Sequence, residues 1–306
     1  MKVIQSSSGH PEISRRRFVS LSAGAALALA GDPGVQAQPA LAGSDHNNDA
    51  LLHVQPRYYR WHVDPGVEWL EANTDYAQLD WTIPVHQAAL VLVDVWDRHY
   101  LKDAEARAEA IINEKFVPLL AGARSAGLPI IHAPSPPHAM RHPNWIGAGT
   151  KPQRSAPPDD WPPAEFRGKS GRYSVYARPA EAREAELSEL RSHLQIHPRV
   201  LPAGDEPVVA TGDELHHVCS RNGILFLIYA GFNTNACILM RDYGTLAMTQ
   251  RGYEVLLLRD CTTGMESRQS LPTLSQTNGA ILLLEMFGQY SLTSDELLAG
   301  LKAGNG

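Results

Sequence analysis

Ala89-Leu-Val-Leu-Val-Asp94 is a continuous apolar run closed by a carboxylate. A strand that is apolar at every position is buried on both faces, as in a parallel sheet covered by helices on each side. Working outward, residues 104–126 carry apolar residues at helical spacing (Ala108, Ile111, Ile112, Phe116, Leu119, Leu120) and stop at Gly127. Leu128 to His132 reads as a second strand. Pro207 to Thr211 reads as a weak third, and Thr211-Gly-Asp-Glu214 has the spacing of a capping box that opens a helix running to Asn222-Gly223. Ile224 to Ala230 is a fourth strand, followed by a helix from about Ala236 to Gln250 that Gly252 stops. Glu254 to Leu258, a helix over 272–286, Gln289 to Leu292 and a helix capped by Thr293-Ser-Asp-Glu296 complete the pattern. Six strands alternating with helices predict a mostly parallel, doubly wound sheet. With strand order 3-2-1-4-5-6, the functional crevice lies between the carboxyl ends of strands one and four. Asp94 ends the first of these, and Cys237 follows the second.

The chain has 306 residues, a net charge of −6 and three cysteines. That length supports one large domain. The charge argues against a nucleic-acid partner, and three cysteines exclude a disulfide scaffold. Ser14-Arg-Arg-Arg-Phe18 before the Ala-rich run Leu21 to Ala30, with Val35-Gln36-Ala37 behind it, has the form of a twin-arginine export signal. The apolar run is shorter than the roughly 20 residues a membrane span needs. The expected organisation is a signal peptide over 1–37, a linker and aromatic-rich extension over 38–85, and a catalytic domain over 86–306. The mature chain, carrying about −8, would be periplasmic or secreted with no membrane anchor. Residues 134–195 interrupt the domain with a Pro-rich insertion whose length points to a functional loop.

Gly231-Phe-Asn-Thr-Asn-Ala-Cys237 leads into a predicted helix. A cysteine in a first helical turn feels the positive end of the macrodipole, which favours thiolate. The Ala236 and Cys237 N–H groups lack intrahelical partners there and are candidates for an oxyanion hole. A carboxylate closing an apolar strand is costly unless it is used, and Asp94 is placed to accept the thiol proton. The competing reading is a cysteine buried as a small hydrophobe.

The motif around Cys237 resembles the Gly-x-Ala-Thr-x-x-Cys signature of the isochorismatase-like cysteine hydrolases, and Val91-Leu-Val-Asp94 resembles their strand ending in the catalytic Asp. Gly252-Tyr-Glu-Val-Leu-Leu-Leu-Arg-Asp260-Cys-Thr-Thr is similar to the family's next strand. The resemblance covers residues 86–132 and 197–298. It implies a three-layer α/β/α fold, hydrolysis of C–N bonds in small amides through a thioester, a homo-oligomer, and a cis peptide at Phe232–Asn233. It also implies a lysine near the end of strand three, which this chain lacks. Lys169, in Gly168-Lys-Ser-Gly-Arg-Tyr-Ser174, is the candidate to replace it from the insertion, whereas Lys102, Lys115 and Lys151 read as surface residues. Trp96 stands where the family has Gln, and Asn233 replaces a small residue. Asn233, Thr234, Trp96, Asp97 and His99 are therefore candidate substrate-binding residues.

Nicotinamidases of this family hold a metal through an Asp and two His after strand two. His132-x5-His138-x3-His142 does not reproduce that spacing, so neither a metal nor another cofactor is expected. Cys219 and Cys261 read as structural, with a disulfide between them an unsupported option. The expectation is thus an exported amidohydrolase using Cys237, Asp94 and Lys169 on a small molecule. The alternatives are a degenerate small-molecule binder, favoured by the missing lysine, and a thiol esterase using the same machinery.

Overall fold

The run that opens the pattern is a strand with all six residues, 88–93, buried. The structure is a computed structural model describing residues 50–147 and 161–304, all within one unit, Ala40–Gly306. Its strands are β1 (Leu51–Val54), β2 (Arg57–Arg60), β3 (Asp75–Gln78), β4 (Trp81–Pro84), β5 (Ala88–Val93), β6 (Ile130–Ala133), β7 (Phe226–Phe232), β8 (Glu254–Thr263) and β9 (Tyr290–Leu292). Its α-helices are α1 (Lys102–Ile111), α2 (Val117–Ser125), the short turns α3 (Pro136–Ala139) and α4 (Ala164–Arg167), α5 (Glu184–Ser192), α6 (Gly212–Asn222), α7 (Thr245–Gln250), α8 (Ser275–Met286) and α9 (Ser294–Ala303).

Seven strands form the main sheet in the order β3-β2-β9-β8-β7-β5-β6, with β6, β5, β7, β8 and β9 mutually parallel. Alternate residues of the central strands face opposite sides. Leu90 and Leu92 of β5 and Ile228, Ala230 and Phe232 of β7 join α1, α2 and α9 in one core, which includes Phe116 and Leu297. Ala89, Val91, Val93, Leu227 and Tyr229 join α6, α7 and α8 in the other, with Leu215, Met248 and Ile281. Helices on both faces of one sheet make the three layers.

Three elements differ from the pattern read above. The third strand is reduced to bridges at Val208, which pairs with His132 and Trp145. The segment still lies beside β6, so the order 3-2-1-4-5-6 holds, but too few of its residues pair to make a strand. The helix expected over 236–250 is broken into a π-type turn, Thr234–Ile238, and α7. Third, the extension before residue 86 contributes strands of its own. β2 and β3 add an antiparallel hairpin to the β9 edge, and β1 pairs with β4 in a separate two-stranded sheet. Trp81 packs edge-on to Tyr290 and Phe226, which secures this extension against the main sheet.

The caps fall where the sequence puts them. The Thr211 side chain accepts from the Glu214 N–H, and Thr293 with Glu296 forms a full capping box on α9. The two other cysteines are free and buried, Cys219 in one core and Cys261 in the other, with the sheet between them. That removes the disulfide option.

Candidate active site

β5 and β7 are neighbours in parallel register, with Val93 opposite Gly231. Their carboxyl ends therefore open at one place. Gly231 is required there: its φ is +129°, and a Cβ would overlap the Val93 carbonyl oxygen. The peptide between Phe232 and Asn233 is cis, as the family resemblance implies. On β5 the chain leaves the strand at Asp94 with φ +47°.

Asp94 is 7% exposed, and its carboxylate is held by the loop that follows β6. Oδ1 accepts from both the Ser135 N–H and the Ser135 hydroxyl, the latter at 2.8 Å. Oδ2 is buried and has no donor aligned on it among the described residues. The Cys237 thiol lies within side-chain hydrogen-bond reach of this carboxylate. Arg241 completes the cluster. Its Nη2 donates to the Ser135 hydroxyl at 2.7 Å, stands 3.6 Å from Asp94 Oδ2, and its guanidinium also reaches the Cys237 sulfur. Tyr243 forms the floor, donating from its hydroxyl to the Pro134 carbonyl at 3.1 Å.

The thiol is not acidic in this resting arrangement. Burial first, and then the Asp94 carboxylate, push it up to about 12, against the opposing pull of Arg241. The expectation that the helix end would favour thiolate is corrected. The turn holding Cys237 is five residues long, and the cost of burying a charge exceeds a half-charge dipole acting at one end.

Several other expected residues stand elsewhere. The Ala236 N–H already donates to the Asn233 carbonyl at 3.1 Å, as does the Ile238 N–H at 3.2 Å, so the pair of free amides expected at this turn is corrected for Ala236. Thr234 is fully buried and bonds Thr262 across the ends of β7 and β8 at 2.6 Å, which makes it a strut. Asn233 is half-buried, and its Oδ1 has no partner among the described residues. Trp96 lies against Phe232 and His99, with ring centroids 5.2 and 4.8 Å away. Asp97 accepts from the Gln195 N–H and from Arg98. His99 Nδ1 accepts from the Leu101 N–H. Asp97 and Trp96, which bridges to Ile196, tie the end of β5 to the end of the insertion, whereas His99 bonds within its own loop.

Lys169 sits within the insertion with its Nζ 3.5 Å from the centroid of the Phe166 ring. The basic group on Asp94 and Cys237 is Arg241. Lys115 pairs with Asp260 and Asp295, Lys102 pairs with Glu105, and Lys151 lies outside the described residues. The three histidines diverge. His132 bonds Glu206 at 3.0 Å, His142 Nδ1 accepts from the Asn144 N–H, and His138 Nδ1 accepts from Arg141 at 2.7 Å. No group of three or more His, Cys, Asp or Glu residues suited to a metal occurs among the described residues.

Ser135 and Arg241 were missed in the sequence. Arg241 had a legible signal: four residues beyond Cys237, it shares a helical face with the nucleophile. Ser135 had a weaker one, as a small hydroxyl residue immediately before Pro136-Pro137 where a helical turn begins.

Residues 88–284 match the family model described as the Isochorismatase domain. No curated protein matches the chain. Among solved structures it is similar to a cysteine hydrolase from Pseudomonas syringae pv. phaseolicola 1448A, at 15% identity and TM-score 0.48, over 73% of this chain and 96% of that one. An isochorismatase from Pseudomonas putida KT2440 gives 18% and 0.42 over 70% and 91%. An N-carbamoylsarcosine amidase from Thermoplasma acidophilum gives 15% and 0.38 over 68% and 97%.

Proposed function

The chain belongs to the isochorismatase family of hydrolases, and from that premise we propose that it cleaves a C–N bond in a small amide through a thioester on Cys237. The observation that carries this reading is the meeting of the Cys237 thiol with a buried carboxylate whose Oδ2 has no aligned donor. A thiol that stays protonated at rest needs a base at the moment of attack, and Asp94 is that base. Asp94 takes the thiol proton as the sulfur bonds to the substrate carbonyl carbon. The oxyanion forms against the Cys237 N–H, since the neighbouring Ala236 and Ile238 amides turn back onto Asn233. Asp94 then returns the proton to the departing amine as the C–N bond breaks, leaving a thioester. A water molecule, deprotonated by Asp94, attacks that thioester and releases the carboxylic acid and the free thiol. Ser135 supports this role by fixing Oδ1, so that Oδ2 is the oxygen that exchanges the proton.

The test combines ammonia release from a panel of small primary amides and N-carbamoyl compounds with intact-mass analysis. The wild-type chain is expected to release ammonia and to carry an acyl mass on Cys237 that hydroxylamine removes. Cys237→Ala is expected to lose both. Turnover surviving in Cys237→Ala sinks the cysteine mechanism, and silence across the panel in the wild-type chain favours the binder reading.

A further inference from the structure

We infer that Arg241 is the cation of the catalytic pair, supplied from the bend just past the nucleophile's turn, four residues after Cys237, in place of the strand-three lysine. This inference rests on the cysteine-hydrolase reading above. Four observations carry it. The Arg241 Nη2 stands 3.6 Å from Asp94 Oδ2 and the guanidinium reaches the Cys237 sulfur, so one group faces both ends of the proton transfer. The same Nη2 donates to the Ser135 hydroxyl, which itself donates to Asp94 Oδ1, so the carboxylate and the cation share one anchor. The Arg241 N–H donates to the Cys237 carbonyl at 3.3 Å, fixing the i,i+4 relation in the backbone. Finally, the Arg241 Nε is buried with no partner among the described residues.

When the thiol proton moves to Asp94, the negative charge of the pair moves from oxygen to sulfur. A planar guanidinium lying beside both atoms attracts the charge in either position, which lowers the barrier between them. Arginine also stays protonated throughout, so it never competes for the proton the pair exchanges. The charged or titratable groups facing it are Asp94, Cys237, Tyr243 and His138. Of these, the Tyr243 hydroxyl is occupied by the Pro134 carbonyl and His138 by Arg141. The segment that would bear a strand-three lysine is reduced to bridges at Val208.

The experiment is the rate of iodoacetamide alkylation at Cys237, read by peptide mass at pH 8, in the wild-type chain, Arg241→Gln and Arg241→Lys. Well below its pKa the thiolate fraction, and hence the rate, falls about tenfold for each unit the pKa rises. Arg241→Gln is expected to slow alkylation about tenfold or more, and Arg241→Lys to stay within about threefold of wild type. A wild-type rate in an Arg241→Gln chain of unchanged melting temperature overturns the inference. If Arg241→Gln fails to fold, Arg241→Lys decides, and a tenfold loss there overturns it too. Alkylation needs no substrate, so the two readings fail separately. Turnover surviving in Cys237→Ala removes the cysteine mechanism, whereas an inactive Cys237→Ala beside an unaffected Arg241→Gln removes only the arginine.

Discussion

Asp94 holds two opposed effects on its neighbour. Its negative charge and its hydrogen bond raise the Cys237 thiol, and burial raises it first and further, to about 12. The same carboxylate is the base that the raised thiol requires. Asp94→Asn is therefore expected to make Cys237 a more acidic thiol and a worse enzyme at once. Thiolate absorbance followed against pH should give an apparent pKa below that of wild type but still above the ordinary thiol range, because the burial remains. Turnover should fall by about 10²–10⁴-fold, the usual contribution of a positioned base. A variant with an unchanged thiol pKa would mean that the two side chains do not interact as described.

At the scale of the element, the site depends on how closely β5 and β7 approach. Gly231 lets the β7 backbone stand against the Val93 carbonyl where a methyl group would overlap it. Its φ of +129° adds a second obstacle, since residues with a Cβ rarely adopt it. Gly231→Ala is expected to destabilise the chain by about 3 kcal/mol or more, and to separate Asp94 from Cys237 in whatever remains folded. Urea unfolding checks this, and a midpoint equal to that of wild type would refute it. Much at this scale was readable beforehand. The apolar runs gave the five parallel strands because burial on both faces leaves no polar position, and Thr211 and Thr293 marked helix starts through local hydrogen bonds. The third strand and the 236–250 helix were misread because pairing and helix continuity are decided by neighbours. Val208 has only bridge partners, and after the π-type turn the chain bends through Arg241 and Asp242, whose carboxylate accepts from the Gly212 N–H.

In the molecule as a whole, the edge of the sheet beside β6 is secured by an ionic cluster in which His132 is buried, Glu206 half-buried and Arg124 exposed. Glu206 would be raised by burial, but hydrogen bonds from Arg124, His132 and the Ala203 N–H outweigh that and bring it down to about 2. His132 is lowered, chiefly by burial, despite the pull of Glu206. Both folded pKa values thus lie below their unfolded ones, so both contributions are complete above the unfolded values. That of His132 fades as pH falls below about 6.5 and that of Glu206 as pH falls from about 4.5 towards about 2. Glu206→Gln is expected to lower stability at pH 7 by on the order of 3 kcal/mol and to flatten the acid limb of the melting curve. An acid limb identical to that of wild type would show that the cluster adds nothing. No helix among the described residues is long and apolar enough to cross a membrane. Residues 1–37, read above as an expected export signal, lie outside the described residues.

The sequence by itself determined the five parallel strands, the starts of α6 and α9, and the two strand ends from which Asp94 and Cys237 emerge. These follow from periodicity and capping, which act within a few residues. Only the tertiary structure decided which cation serves the pair, which serine holds the carboxylate, and that the resting sulfur keeps its proton. Ser135 and Arg241 are 106 positions apart and touch because β6, β5 and β7 are neighbours in the sheet. The state of the thiol follows from burial, which the side chain acquires only when it packs against the core that holds Tyr229 and Ile238.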